Sequence, residues 1–226
     1  DFRRSRGLGD VYKRQAVKHC AAGKFRNAGQ VCISPTRFFI EEPVYDEFIK
    51  SFKSHVEAIN VGDGLDSKST MGPLVADRRL EVMEDFISDA ISSGGEVISG
   101  GGRGQSPGSF FEPTLIRDVP DTAKIMIEEP FGPVAPSASF SSIDEIIERA
   151  NSLPFGLASY AFTSNPRTSQ ILKSEIESGM LAINSMHIHS VETPFGGLKH
   201  SGYGYEGSIE GLEAFLVTKY SSEIYT

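Results

Sequence analysis

Apolar positions along this chain repeat with two periods, and the two alternate. After Pro43, Val44, Phe48, Phe52, Val56 and Ile59 recur every three or four residues, which predicts an amphipathic helix. Leu80, Met83, Ile87, Ala90 and Ile91 repeat the pattern, and Gly94 and Gly95 stop it. A shorter helix is predicted over 16–24. Ser142 is a candidate cap for a helix beginning at Ile143, with Glu145 three residues on as a capping box. Asn165 and Pro166 open another helix, and 208–216 a last one. Between them lie short runs rich in β-branched, aromatic and aliphatic residues: 36–40, 96–99, 113–119, 133–140, 157–163, 180–184 and 217–225. The runs 113–119 and 133–140 read as strands broken at their edges by proline. Such alternation suits crossover units, so the fold class is α/β with a largely parallel sheet.

The first fifteen residues differ from the rest. Arg3, Arg4, Arg6, Lys13 and Arg14 stand against Asp1 and Asp10, with no apolar run behind them. This is not a secretory signal, and it reads as a disordered or foreign leader. The expected division is a leader over 1–15, a catalytic domain over 16–200, and a terminal helix with a tail over 201–226. Because the chain opens without Met, its native start is expected upstream.

The net charge of −8 argues against nucleic acid or an anionic membrane as partner. No apolar run approaches the ~18–20 residues that span a bilayer. Two cysteines cannot build a disulfide framework and fit a reducing compartment, so the expected location is cytoplasmic.

Several motifs carry little chemistry. Gly202, Gly204 and Gly207 match GxGxxG, but PFGGLKHS precedes them where a dinucleotide loop needs an apolar strand, and too little chain follows for a βαβ unit. His187, His189 and Glu192 lack the further ligands a zinc site needs, so no metal is expected. No G-x-S-x-G elbow accompanies the serines and histidines. Cys20, among Ala and His on a helix, reads as packing. Cys32 lies between a helix and a strand, with Gly29 before it and Arg26 and Arg37 nearby in sequence. Positive charge or backbone N–H groups at such a turn would stabilise a thiolate.

FRNAGQVC around Cys32, EEPFGPV around Glu129 and PFGGLKHSGYGYEG from Pro194 occur in the order and spacing of the aldehyde dehydrogenase superfamily, which the chain resembles from Ala16 onward. KFRNAGQVC, VGDGLD and GGLKHSGYGYEGS resemble its succinate-semialdehyde branch. The resemblance implies the family's α/β catalytic domain and a C-terminal strand that joins a neighbouring subunit's sheet. It implies a homodimer or homotetramer of the intact protein, acting on a small aldehyde. Cys32 matches the nucleophile, Glu129 the residue that binds the nicotinamide ribose of NAD or NADP, and Phe131 the ring beside it. Glu128 is the neighbour and not the contact. Phe195 matches an aromatic wall of the aldehyde pocket, and Arg26 an arginine that pairs with a substrate carboxylate. A surface ion pair is the other reading of Arg26. His189 falls where the branch places a small serine, and Ser34 where it often has a second cysteine.

The family's Rossmann half, its phosphate-contacting lysine, its oxyanion-hole asparagine and its glutamate base all precede the nucleophile and have no counterpart here. No ELGG string occurs. The chain is therefore expected to be the C-terminal half of an oxidoreductase, and alone not to oxidise aldehydes. Two other readings stay open. One is a cofactor-free thiol acyl-hydrolase pairing Cys32 with a histidine; the other is an inactive interaction fragment.

Overall fold

The computed structural model describes residues 2–225, with side chains from Arg14 onward. Helix α1 spans Phe2–Phe25. It begins well before the predicted residue 16. The cations from Arg3 to Lys13 that defined the expected leader lie outside the described side chains.

A four-stranded sheet follows, in the order β1 (Phe38–Glu41), β4 (Val134–Phe140), β3 (Thr114–Arg117), β2 (Glu96–Ser99). β4 pairs in parallel with β1 on one side and β3 on the other, and β2 is antiparallel to β3. The expected parallel α/β architecture is therefore present. Central β4 buries five successive residues, as a strand covered on both faces should. Pro136 lies inside this strand, in register with Ile116, rather than breaking its edge. Alternate residues of a strand bond to opposite neighbours, so one missing N–H costs a single ladder bond and the strand continues.

Two helices cover the sheet as their periodicity predicts. Helix α2, Tyr45–Glu57, buries Tyr45, Ile49, Phe52 and Val56. Helix α3, Arg78–Ser92, buries Leu80, Met83, Phe86, Ile87 and Ala90. Ile91 is 53% exposed, because it sits one residue past the buried stripe, about 100° round the helix. The rings of Phe25, Phe38 and Phe48 all pack around Phe52, which joins α1, β1 and α2 into one core.

A short helix, α4 (Lys124–Ile127), leads towards β4, and α5 (Ile143–Asn151) follows it. Ser142 caps α5 by accepting from the Glu145 N–H at 3.2 Å. The Glu145 carboxylate reaches back to the N–H and hydroxyl of Ser141, one residue earlier than an ideal capping box. Beyond it, β5 (Phe155–Gly156) and β6 (Ala158–Ala161) run up to α6 (Pro166–Glu175), capped by the Asn165 side chain. β6 pairs in parallel with β7 (Met180–Ile183), whereas β5 is antiparallel to β8 (Leu198–Lys199).

The last element is α7, Ser208–Glu213, shorter than the predicted 208–216. Residues 217–225, read as a terminal strand, have no regular secondary structure. Strand conformation needs a ladder partner, and among the described residues no strand pairs with them. Val217, Tyr220, Ile224 and Tyr225 are exposed. Among the described residues, no helix is long and apolar enough to cross a membrane.

Candidate active site

The site is built around the end of α1. After Phe25 the chain turns through Asn27, Ala28 and Gly29, with φ of 52°, 54° and 72°. Left-handed backbone is tolerated by asparagine and free for glycine, but costs an alanine about 1–2 kcal/mol. The turn is laced by its own side chains. Asn27 Nδ2 donates to the Gln30 carbonyl and Gln30 Nε2 to the Asn27 carbonyl, both at 3.1 Å. Gln30 also ties the turn to a second loop: its Nε2 donates to the Pro73 carbonyl, and its Oε1 accepts from the Val75 N–H at 2.9 Å.

Cys32 follows in a turn closed by Ser34 N–H to the Val31 carbonyl at 2.9 Å. Its side chain is exposed. The turn is anchored on two sides. Ser34 Oγ donates to the Lys24 carbonyl at 3.2 Å, and Tyr160 Oη on β6 donates to the Ile33 carbonyl at 2.8 Å. Among the described residues, the Cys32 N–H has no acceptor. The Tyr160 hydroxyl is pushed up to about 12, first by burial, with Arg26 opposing and Cys32 adding to the rise. Arg26, Cys32 and Tyr160 thus share one electrostatic neighbourhood. Arg26 is exposed and has no ion-pair partner among the described residues.

Cys20 contrasts with Cys32. It is buried in α1, and burial pushes its thiol up to about 12. Brief treatment with limiting iodoacetamide should therefore label Cys32 at least about tenfold faster, because only a thiolate within reach is alkylated. Peptide mass mapping reads the result, and preferential label on Cys20 would contradict it.

The second motif meets the first here. The carbonyl of Gly132 lies 2.2 Å from where a Cβ on Gly29 would stand, so the two backbones touch. The loop between α4 and β4 carries Glu129 and Phe131 to this junction. Phe131 has φ of 43° and a partly exposed ring. Arg79, from the first turn of α3, holds the loop by donating to the carbonyls of Pro130, at 2.5 Å, and Phe131, at 3.5 Å. Glu129 reaches solvent, yet desolvation by the surrounding protein raises its carboxyl above the usual range, with Lys24 and Arg79 opposing.

Lys24 is fully buried in the last turn of α1. Burial pushes its ammonium down to about 7, and Glu129 opposes the shift. The unfolded chain keeps an ordinary lysine near 10.5. Between these values the unfolded state binds more protons, so stability should rise with pH. From about pH 7 to about pH 9 that rise is expected to be about 2 kcal/mol, and Lys24→Met should remove it. Urea denaturation across that range checks this; parallel pH profiles for both proteins would contradict it.

The third motif makes a separate ring cluster. His189 meets Phe195 edge-on at 6.1 Å, and stacks on His187 at 6.1 Å. Phe195 is fixed by a backbone bridge to Glu206. The loop after β7 reaches α1 at Gly23, where a Cβ would stand 2.4 Å from Met186 Cε. Gly202 and Gly204 lie in open turns with φ of 123° and 79°, ahead of a helix of six residues. That geometry gives GxGxxG no phosphate cradle. Among the described residues, no three His, Cys, Asp or Glu side chains converge as metal ligands.

Sequence reasoning missed four residues that shape this site: Lys24, Gln30, Arg79 and Tyr160. Lys24 carried a signal, since it follows Val17, Cys20 and Ala21 on the buried stripe of α1. The others act through contacts distant in sequence and left no local trace.

The fold and the paired Cys32 and Glu129 loops define a class: the chain belongs to the aldehyde dehydrogenase family, whose profile matches residues 8–221. It is 39% identical over 206 residues to the NADP-dependent succinate-semialdehyde dehydrogenase of Escherichia coli, covering 91% of this chain and 43% of that protein. It is 41% identical over 212 residues to the 4-(hydroxymethyl)benzenesulfonate dehydrogenase of Comamonas testosteroni, covering 94% and 44%. The crystal structure of succinate-semialdehyde dehydrogenase from Burkholderia pseudomallei superposes with a TM-score of 0.89 at 37% identity, covering 91% and 42%. The chain thus spans less than half the length of these relatives.

Proposed function

We propose that this chain is the C-terminal, catalytic half of an NAD(P)+-dependent aldehyde dehydrogenase acting on a short aldehyde with an anionic end, with succinate semialdehyde the leading candidate. The observation that carries the reading is the contact between Gly29 and Gly132, which holds the Cys32 turn against the Glu129 loop.

In this reading the Cys32 thiolate attacks the aldehyde carbon. A C–S bond forms, and the carbonyl electron pair moves to oxygen, to which the Cys32 N–H can donate a hydrogen bond. Bound NAD(P)+ supplies the hydride acceptor. Glu129, a carboxylate reaching solvent on a braced loop, fits the hydroxyls of the nicotinamide ribose, and the partly exposed ring of Phe131 fits beside it. Loss of hydride leaves an acyl group on Sγ, and water releases it as the acid. The family's glutamate base for that water has no counterpart in this chain. Tyr160 and Ser34 keep the nucleophile turn from shifting while carbon and sulfur bond.

Arg26, exposed, without an ion-pair partner among the described residues, and acting with Cys32 on the same Tyr160 hydroxyl, supports an anionic substrate. Relatives named for succinate semialdehyde and for a benzenesulfonate both act on molecules with an anionic group. His189 and Phe195 would form the far wall of the pocket.

The acyl-hydrolase reading needs a histidine on Cys32. His19 stacks on Phe162, His55 meets the Ser51 carbonyl, His187 and His189 stack together, and His200 packs on Phe155. None hydrogen-bonds Cys32 among the described residues, so this reading gains no support.

The test is a comparison of kcat/KM for succinate semialdehyde and an uncharged aldehyde of equal length, using an intact enzyme that contains this chain. The acid should be preferred by about tenfold or more, the worth of one charge-assisted pair. Equal values would remove the anionic substrate from the proposal.

A further inference from the structure

Arg79 stands where a helix disfavours it. It lies in the first turn of α3, beside Arg78, and the dipole there opposes a cation. Among the described residues its guanidinium forms no ion pair. It goes instead to two backbone carbonyls across the fold, Pro130 at 2.5 Å and Phe131 at 3.5 Å. One turn along the same face of α3, Met83 is fully buried, and its Sδ stands 2.2 Å from where a Cβ on Gly132 would be. Helix α3 thus holds the Glu129 loop at 130, 131 and 132.

The approach to this helix is tied to the other loop of the site. Gln30 Nε2 donates to the Pro73 carbonyl at 3.3 Å, and its Oε1 accepts from the Val75 N–H at 2.9 Å, just ahead of Arg79. Leu74 between them is buried, and its N–H donates to the Ser109 carbonyl at 2.8 Å, so this approach is itself anchored. The contacts close a ring. It runs from the nucleophile turn through Gln30 to residues 73–75, along α3 to Arg79, across to Pro130 and Phe131, and through Gly132 back to Gly29. The contact of Gly29 with Gly132 alone would be a pivot. Two loops that touch at one point can swing about it, and a second tie away from that point removes the swing.

We propose that Arg79 is a positioning residue for hydride transfer: its hold on the carbonyls of Pro130 and Phe131 supplies that second tie and fixes how the Glu129 loop stands relative to Cys32. The proposal rests on the reading of Glu129 as the ribose residue. Hydride transfer is steeply sensitive to placement, and an error of about 1 Å can cost about 10²-fold in rate. The planar fork of an arginine suits neighbouring carbonyls, whereas a lysine is a point donor on a flexible stem. Methionine would cover the same surface and donate nothing.

The experiment has two readouts. In the full chain, amide exchange is followed in loop 128–132 for the native protein, Arg79→Met, Arg79→Lys and Arg78→Met. Exchange should quicken about tenfold in Arg79→Met and about threefold in Arg79→Lys, which keeps the charge and one donor. Arg78→Met is the control and should leave it unchanged, since the exposed Arg78 bonds nothing in that loop among the described residues. In an intact enzyme containing this chain, single-turnover NAD(P)H formation should slow by about tenfold or more in Arg79→Met, while iodoacetamide labelling of Cys32 stays within about twofold of native. That split separates a misplaced cofactor loop from a general loosening of the site. Native exchange in the loop or native NAD(P)H formation in Arg79→Met would overturn the proposal alone, as would Cys32 labelling that changes in step with turnover. NAD(P)H affinity left unchanged by Glu129→Gln would overturn the ribose reading and the proposal with it.

Discussion

Replacing Gly29 with alanine is expected to be among the most damaging single changes in this chain. Two independent costs meet there. The residue has φ of 72°, where a Cβ costs about 1–2 kcal/mol. That Cβ would also stand 2.2 Å from the Gly132 carbonyl, a backbone atom that cannot rotate away. Relief requires the Cys32 turn and the Glu129 loop to separate. Stability should fall by about 3 kcal/mol or more, and turnover of an intact enzyme by over about 10², the penalty of an ångström-scale misplacement. Gly64 is the control, since nothing lies within 4 Å of its Cβ position. Urea denaturation of Gly29→Ala and Gly64→Ala checks the first effect. A loss below about 0.5 kcal/mol in Gly29→Ala would contradict the close approach of the two loops.

The second large effect is expected at Arg26. In an intact enzyme, Arg26→Ala should lower kcat/KM for succinate semialdehyde by roughly tenfold to over a hundredfold, because a charge-assisted hydrogen bond contributes about 1.5–3 kcal/mol. An uncharged aldehyde of the same length should lose little. Arg26 has no ion-pair partner among the described residues, so comparing the two substrates separates a substrate contact from a structural one. Equal losses for both would make Arg26 a structural residue. His189→Ser probes the same pocket and should lower discrimination without abolishing turnover of the neutral aldehyde.

Much of this architecture was legible because it is local. Helices α2 and α3 follow from the spacing of Phe48, Phe52 and Val56, and of Leu80, Met83 and Ile87. Cys32 stands out as a thiol in a polar turn, and Glu129, Phe131 and Phe195 enter the proposal through the motif resemblance. The rest depends on what meets across the fold. That Gly29 must be glycine is set by Gly132, over a hundred residues away. Tyr160 is one aromatic residue among several in strand positions until its hydroxyl is seen on the Ile33 carbonyl. Lys24 reads as an ordinary polar helix end, although the stripe of Val17, Cys20 and Ala21 turns it inward. Pro136 is an exception of another kind, a strand breaker by propensity that the pairing on both sides of β4 overrides. The residues 217–225 alternate like a strand, but alternation alone supplies no ladder partner.

The account turns on Cys32 as the atom that takes up the aldehyde carbon. The most direct measurement is to mix an intact enzyme containing this chain with succinate semialdehyde and NAD(P)+, quench it in acid within one turnover, and map the modified peptides by mass. The account predicts a succinyl thioester on Cys32, formed only when NAD(P)+ is present, and absent from Cys32→Ala together with NAD(P)H formation. An acyl group on another residue, or NAD(P)H formation that survives Cys32→Ala, would contradict it.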